Sequence, residues 1–180
     1  MLNIHTLTLG LYQVNCYIVH NTDSDRCVVI DPGYEPKKIA AFLAEKGLKL
    51  EAILLTHGHF DHVGGVKALA ENAKVYLHDL ERTMPQALTA GPLYATDTYP
   101  SRFEIAGMDF TVLHTPGHTP GSVCRFLRTH GPARRRLGNH PILFETAKWF
   151  ARRLSGLPGT RRTDHAGAGA AIQPLFEVKL

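Results

Sequence analysis

Three histidines and an aspartate crowd into six residues of this chain: His57, His59, Asp61 and His62, in the run Thr56-His57-Gly58-His59-Phe60-Asp61-His62. Neutral imidazole and carboxylate are ligands that suit Zn²⁺, with bonds of about 2.0–2.2 Å. His at i and i+2, with Asp and His at i+4 and i+5, offers four such ligands from one short loop. Gly58 lets that loop fold tightly enough for its neighbours to converge on a point. A smaller cluster, His114 and His118, flanks Pro116-Gly117, and the other six of the eleven histidines are scattered.

Ligands need rigid elements to hold them. Residues 50–56 read as a buried strand that delivers the first cluster, followed at once by Gly64-Gly65 and a helical pattern over 64–73, with Val66, Leu69, Ala70 and Ala73 on one face. Upstream, residues 4–9 alternate apolar and polar, 14–19 read as a second strand, and 26–30 as a third after turn residues at 21–25. Asp31-Pro32-Gly33 ends that third strand. Pro36 opens a helix whose apolar face is Ile39, Phe42 and Leu43 and which Gly47 stops. A short strand at 75–77 follows. Residues 103–105 and 108–113, joined by Ala106-Gly107, predict a hairpin that runs into the second histidine cluster. Strands alternating with helices, with antiparallel ends, predict an α/β sandwich.

Composition narrows the class. The chain has 180 residues, 44% hydrophobic and 20% charged, as expected of one globular domain. No apolar run approaches the roughly 18 residues of a membrane span, and residues 1–10 have neither a basic nor an apolar leader segment. Cys16, Cys27 and Cys124 show no C-x-x-C spacing and no disulfide framework, which suits a reducing compartment and predicts a cytoplasmic protein without membrane attachment. Charge is divided unevenly. Residues 1–124 carry nine Lys and Arg against 13 Asp and Glu, whereas 125–180 carry 11 against three. The acidic body and the lack of an RNA-binding motif argue against a nucleic-acid partner, despite the basic tail.

The run from Thr56 to Gly65, Thr-His-Gly-His-Phe-Asp-His-Val-Gly-Gly, resembles the T-H-x-H-x-D-H-x-G-G signature of the metallo-β-lactamase superfamily. The resemblance extends to Val14-Asn15-Cys16-Tyr17-Ile18-Val19, to Val29-Ile30-Asp31-Pro32-Gly33, and to Thr115-Pro116-Gly117-His118-Thr119-Pro120-Gly121-Ser122. Within the superfamily this set is most similar to the small glyoxalase II-like, or hydroxyacylglutathione hydrolase-like, enzymes. It implies an αββα sandwich and assigns His57, His59 and His118 to a first metal and Asp61 and His62 to a second. His114 stays a strand-end side chain, and Asp31 supports the metal loop from behind the ligands. The implied chemistry is hydrolysis of a small-molecule thioester by hydroxide formed on zinc at neutral pH, with Asp61 also holding the water. Two zinc ions are expected for the family, and one or two here. Iron is the alternative metal, as in persulfide dioxygenase-like relatives.

The resemblance covers residues 1–124. A bridging Asp in a G-D-x-L-F-like segment and a last His in a G-H-G-like segment have no recognisable counterpart. Asn139 stands where the Asp would be, and Asp164-His165 lies in an Ala-Gly context. Residues 125–180 therefore read as an atypical Arg-rich tail, either an out-of-frame translation product or a divergent C-terminus, which would leave the sandwich incomplete in its C-terminal half. A remnant that holds at most one metal and catalyses nothing is the alternative to an active enzyme.

Overall fold

Side chains that point alternately to the two faces of each strand build two sheets on one shared core. The computed structural model describes residues 1–129. β1 (Leu2–Leu9) and β2 (Val14–Asn21) form an antiparallel hairpin paired from Leu2 with Asn21 to Leu9 with Val14. β3 (Arg26–Ile30) pairs antiparallel to β2; after α1 (Pro36–Lys46) the chain returns as β4 (Lys49–Leu54), parallel to β3. β5 (Lys74–Leu77) and β6 (Asp97–Thr98) continue in parallel, giving a six-stranded sheet in sequence order. β7 (Arg102–Ile105), β8 (Met108–His114) and β9 (Val123–Thr129) form a second, antiparallel sheet.

The period of two explains the layers. Val28, Ile30, Ala52 and Leu54 point toward Ile105, Met108, Phe110 and Leu127 of the small sheet. Their neighbours Cys27 and Val29 pack instead under Ile39 and Leu43 of α1. Ile53, Leu55 and Val75 pack under Val63 and Val66. Among the described residues the order is therefore helices, large sheet, small sheet, as the expected α/β sandwich requires. No helix among them is long and apolar enough to cross a membrane.

Local signals account for several boundaries. Pro36 occupies the first turn of α1, and Gly47 closes it at φ +64°, where its N–H donates to the Ala44 carbonyl at 3.2 Å. Ala106 and Gly107 both take positive φ, the twist-matched turn for the β7–β8 hairpin.

The helix expected over 64–73 differs. It begins earlier, as α2 (Phe60–Val63), and ends earlier, as α3 (Val66–Leu69). Gly64 and Gly65 sit in its middle, against the Pro32 and Gly33 carbonyls, where a Cβ would come within 3.0–3.2 Å of those oxygens. The glycines are thus a site of close backbone approach inside a helical stretch, not its start. Asp61 and His62 consequently lie on a helical turn and not on the loop expected from their spacing. A 3₁₀ helix (Asp79–Thr83) and α4 (Gln86–Thr89) follow β5.

β9 pairs with β8 from His114 with Val123 to Met108 with Thr129, so regular pairing continues past the change in composition at residue 124. Arg125 on this strand is fully buried. Its guanidinium donates to the Tyr99 hydroxyl and lies 5.5 Å from the centre of that ring, but its Nε and Nη2 find no hydrogen-bond partner. The later tail, including Asn139, His140, Asp164, His165 and the helical spacing over 143–154, lies outside the described residues. The Arg125 guanidinium also helps keep the buried Asp31 carboxylate charged, so removing it alone leaves that carboxylate less compensated. Arg125→Met is therefore expected to destabilise the fold by about 1 kcal/mol or more. A urea titration in which the midpoint falls at unchanged slope would bear this out, and a higher midpoint would show that the unmet donors outweigh the charge.

Candidate metal centre

β3 and β4 are parallel neighbours, so the chain leaves both at the same edge of the sheet, where ligand-binding loops gather in open α/β sheets. Asp31 leaves β3 at φ +50° and is only 3% exposed. Its Oδ1 accepts the Thr56 N–H at 2.8 Å and its Oδ2 accepts the Thr56 hydroxyl at 2.7 Å. His62 Nδ1 lies 3.1 Å from the same Oδ2. Burial alone would raise the Asp31 pKa. The His62 ring beside it, then Arg125 and His57, outweigh burial and hold it down at about 2.

These contacts orient the first histidine. Thr56 has one hydroxyl proton, already given to Asp31, so at 2.8 Å its oxygen accepts from His57 Nδ1. His57 is then the Nδ1–H tautomer, with its Nε2 lone pair free. That Nε2 is buried and has no hydrogen-bond partner. Burial, reinforced by His62, lowers the His57 pKa to about 2, so the ring is neutral at any ordinary pH.

The third histidine comes from the other sheet. His118 sits in the turn between β8 and β9, which the Thr119 N–H closes by donating to Ser122 Oγ at 3.1 Å and the Thr115 N–H by donating to the Ser122 carbonyl at 2.8 Å. The Val123 N–H then donates to the Thr56 carbonyl at 3.0 Å and fastens this turn to the first loop. His59 Nδ1 and His118 Nε2 face each other at 2.9 Å. One ring nitrogen from each of His57, His59 and His118 lies within 4.8 Å of the others. Tetrahedral zinc with bonds of about 2.0–2.1 Å places its nitrogens about 3.3 Å apart, so small ring movements would close this set on a cation. An orphaned buried lone pair at its centre is what such a cation satisfies. The residues present fit the group.

Of the expected ligands, then, His57, His59 and His118 converge. Asp61 and His62 lie beside that trio and outside it, with His62 Nε2 3.8 Å from Asp61 Oδ2. Asp31 lies behind them, against Thr56 and His62. His114 points elsewhere: its ring stacks on His78 at 4.3 Å and its Nε2 lies 2.7 Å from the Pro120 carbonyl. Sequence reasoning gave no role to Glu81, which is fully buried against both candidate ligand loops.

The sequence model of the metallo-beta-lactamase superfamily matches residues 9–131. The chain belongs to the metallo-beta-lactamase superfamily. Two curated relatives in this superfamily are the "Probable metallo-hydrolase YqgX" of Bacillus subtilis and the hydroxyacylglutathione hydrolase of Salmonella typhi. The first is 34% identical over 137 residues, covering 68% of this chain and 64% of the relative. The second is 35% identical over 144 residues, covering 76% of this chain and 48% of the relative. The chain thus spans about two thirds of one and half of the other. Among solved structures, TTHA1623 in a di-iron-bound form is similar at TM-score 0.58 and 34% identity, over 86% of this chain and 87% of that one. The two-sheet architecture is the superfamily's fold.

The buried neutral His57 makes stability pH-dependent. Its folded pKa lies far below the value of about 6.5 in an unfolded chain, so between those values only the unfolded state binds the proton. Its contribution is whole above pH 6.5 and is lost progressively as pH falls toward 2. The unfolding constant of the metal-free protein is expected to rise about tenfold more per pH unit below 6 than that of His57→Gln. Urea unfolding of both between pH 7 and 5 measures the difference, and parallel curves would refute the assignment.

Proposed function

We propose that the chain is a zinc-dependent hydrolase of small-molecule thioesters. The observation that carries this reading is the convergence of His57, His59 and His118 around the orphaned His57 Nε2. These three hold the first metal as neutral imidazoles, and burial supports neutrality by lowering the pKa of His118 as well as His57, with His59 and His62 adding to the effect at His118. Asp61 and His62 hold the second. When bound, such cations polarise a carbonyl and bring the pKa of water to around 7.

The chain's own groups do the rest. The Asp61 carboxylate accepts a hydrogen bond from the attacking water and fixes its direction. Asp31 keeps His62 turned through its Nδ1, and Thr56 keeps His57 turned through its own. A protein nucleophile is not required. Cys16, Cys27 and Cys124 are buried thiols outside any disulfide, and burial pushes the first two pKa values upward, that of Cys27 to about 12. Three reduced cysteines are also what a cytoplasmic setting favours. The relatives named hydroxyacylglutathione hydrolase support the thioester, and the di-iron form of TTHA1623 supports iron as a second reading of the metal.

Elemental analysis and thioester hydrolysis on one preparation test the proposal. Two zinc ions per chain with turnover are expected, with one retained in Asp61→Asn. His118→Ala should lower turnover at least a hundredfold and lose the first metal. A folded wild-type chain that takes up no zinc or iron would overturn the metal reading. Metal uptake without thioester turnover would overturn the substrate.

A further inference from the structure

The two ligand loops belong to different sheets, and one buried carboxylate lies between them. Glu81, in the 3₁₀ helix after β5, has no exposed surface. Its Oε2 accepts the Gly58 N–H at 2.7 Å, and its Oε1 accepts the Gly121 N–H at 2.6 Å. Gly58 is the residue between His57 and His59; Gly121 closes the turn that presents His118. Each oxygen therefore holds one ligand loop by its backbone. From this geometry we propose that Glu81 is the positioning residue of the metal centre, setting the distance between the His57/His59 loop and the His118 turn. The proposal rests on the reading of these three histidines as metal ligands.

Several features bear on it independently. Both loop residues are glycines where a side chain would collide with the carboxylate. A Cβ on Gly121 would lie 2.7 Å from Glu81 Cγ and 2.8 Å from Oε1, and one on Gly58 would lie 3.3 Å from Oε2 and 3.0 Å from Met84 Sδ. Both loop backbones therefore pack directly on the carboxylate. The carboxylate is held in turn by its own helix, whose Glu81 N–H donates to the His78 carbonyl at 3.0 Å and whose Met84 N–H donates to the Glu81 carbonyl at 3.1 Å. A charged acceptor bonds two amides more strongly than a neutral one, and here no water competes. It also places one negative charge beside a pocket suited to a cation.

The same arrangement explains why glutamate and not glutamine serves. Two N–H donors converge on the group, so both of its ends must accept. A glutamine in its place would present a carbonyl to one loop and an NH₂ to the other, donor against donor. Aspartate keeps the charge but is one methylene shorter, and it can reach only one of the two amides.

Zinc affinity by competition with a chromophoric chelator, measured beside urea stability and amide exchange of the metal-free proteins, tests the assignment. Glu81→Gln is expected to bind zinc 10- to 100-fold more weakly, the usual cost of removing a group that orients ligands. The Gly58 and Gly121 amides should exchange faster in it, while the amides of β1 and β2 keep their protection. Gly121→Ala loosens the clamp from the other side and is expected to weaken zinc binding in the same range, which keeps the test open should Glu81→Gln fail to fold. A folded Glu81→Gln or Gly121→Ala protein with wild-type zinc affinity overturns the proposal. So does unchanged exchange at Gly58 and Gly121 in Glu81→Gln. A wild-type protein that binds no zinc refutes the metal reading instead, and exchange at the two glycines then judges the clamp alone.

Discussion

A carboxylate removed from water must be compensated by the groups around it, and Asp31 finds its nearest partners on the candidate metal loop. Its two oxygens take the amide and the hydroxyl of Thr56 and face the Nδ1 of His62. Each of these commitments propagates outward. The Thr56 hydroxyl, having spent its proton, dictates which nitrogen of His57 carries hydrogen. His62, drawn by the same oxygen, turns its other nitrogen toward Asp61. The rings of the proposed ligands thus take their directions from one charge behind them, in the manner that carboxylates orient metal-binding histidines.

That arrangement is possible because of strand order. β3 and β4 lie side by side and parallel, so Asp31 and Thr56 emerge at one edge and within a side chain's reach. Antiparallel pairing would have put them at opposite ends. The small sheet enters through β9, whose first amide bonds the Thr56 carbonyl, so the third histidine is brought in by continuing a backbone ladder across the gap between sheets. The Gly64-Gly65 pair lets α2 and α3 lie directly on the Pro32 and Gly33 carbonyls, which seats Asp61 and His62 over Asp31.

What the sequence discloses depends on whether a feature is carried by residue type or by position in space. His57 and His59 are legible because few side chains bind metal and their spacing is compact; His118 is legible only through the resemblance of its Pro116-Gly117-His118 turn to the family motif, since His114 lies in the same cluster. α1 and the β7–β8 hairpin are legible because Pro36, Gly47 and Ala106-Gly107 mark them locally. The start of α2 at Phe60 is not, since glycines read as a boundary until the carbonyls they pack against are known. Glu81 is invisible for a different reason. It sits in a polar stretch, His78-Asp79-Leu80-Glu81-Arg82, that reads as solvated surface, and its partners are backbone amides, which leave no mark in composition. β9 was hidden by its arginines, although strand pairing uses main-chain groups and is indifferent to them. Everything expected of the tail beyond residue 129 falls outside the described residues.

The trio of histidines draws two members from the large sheet and one from the small. A cation held by all three would fasten the sheets together at their open edge. Its binding free energy would then count as folding free energy, about 2.7 kcal/mol for a hundredfold excess of free metal over the dissociation constant. In such a protein the supply of metal in the surroundings sets how firmly the two halves of the sandwich stay closed. Chelation would act first as a loosening of structure, and only through that as a loss of catalysis.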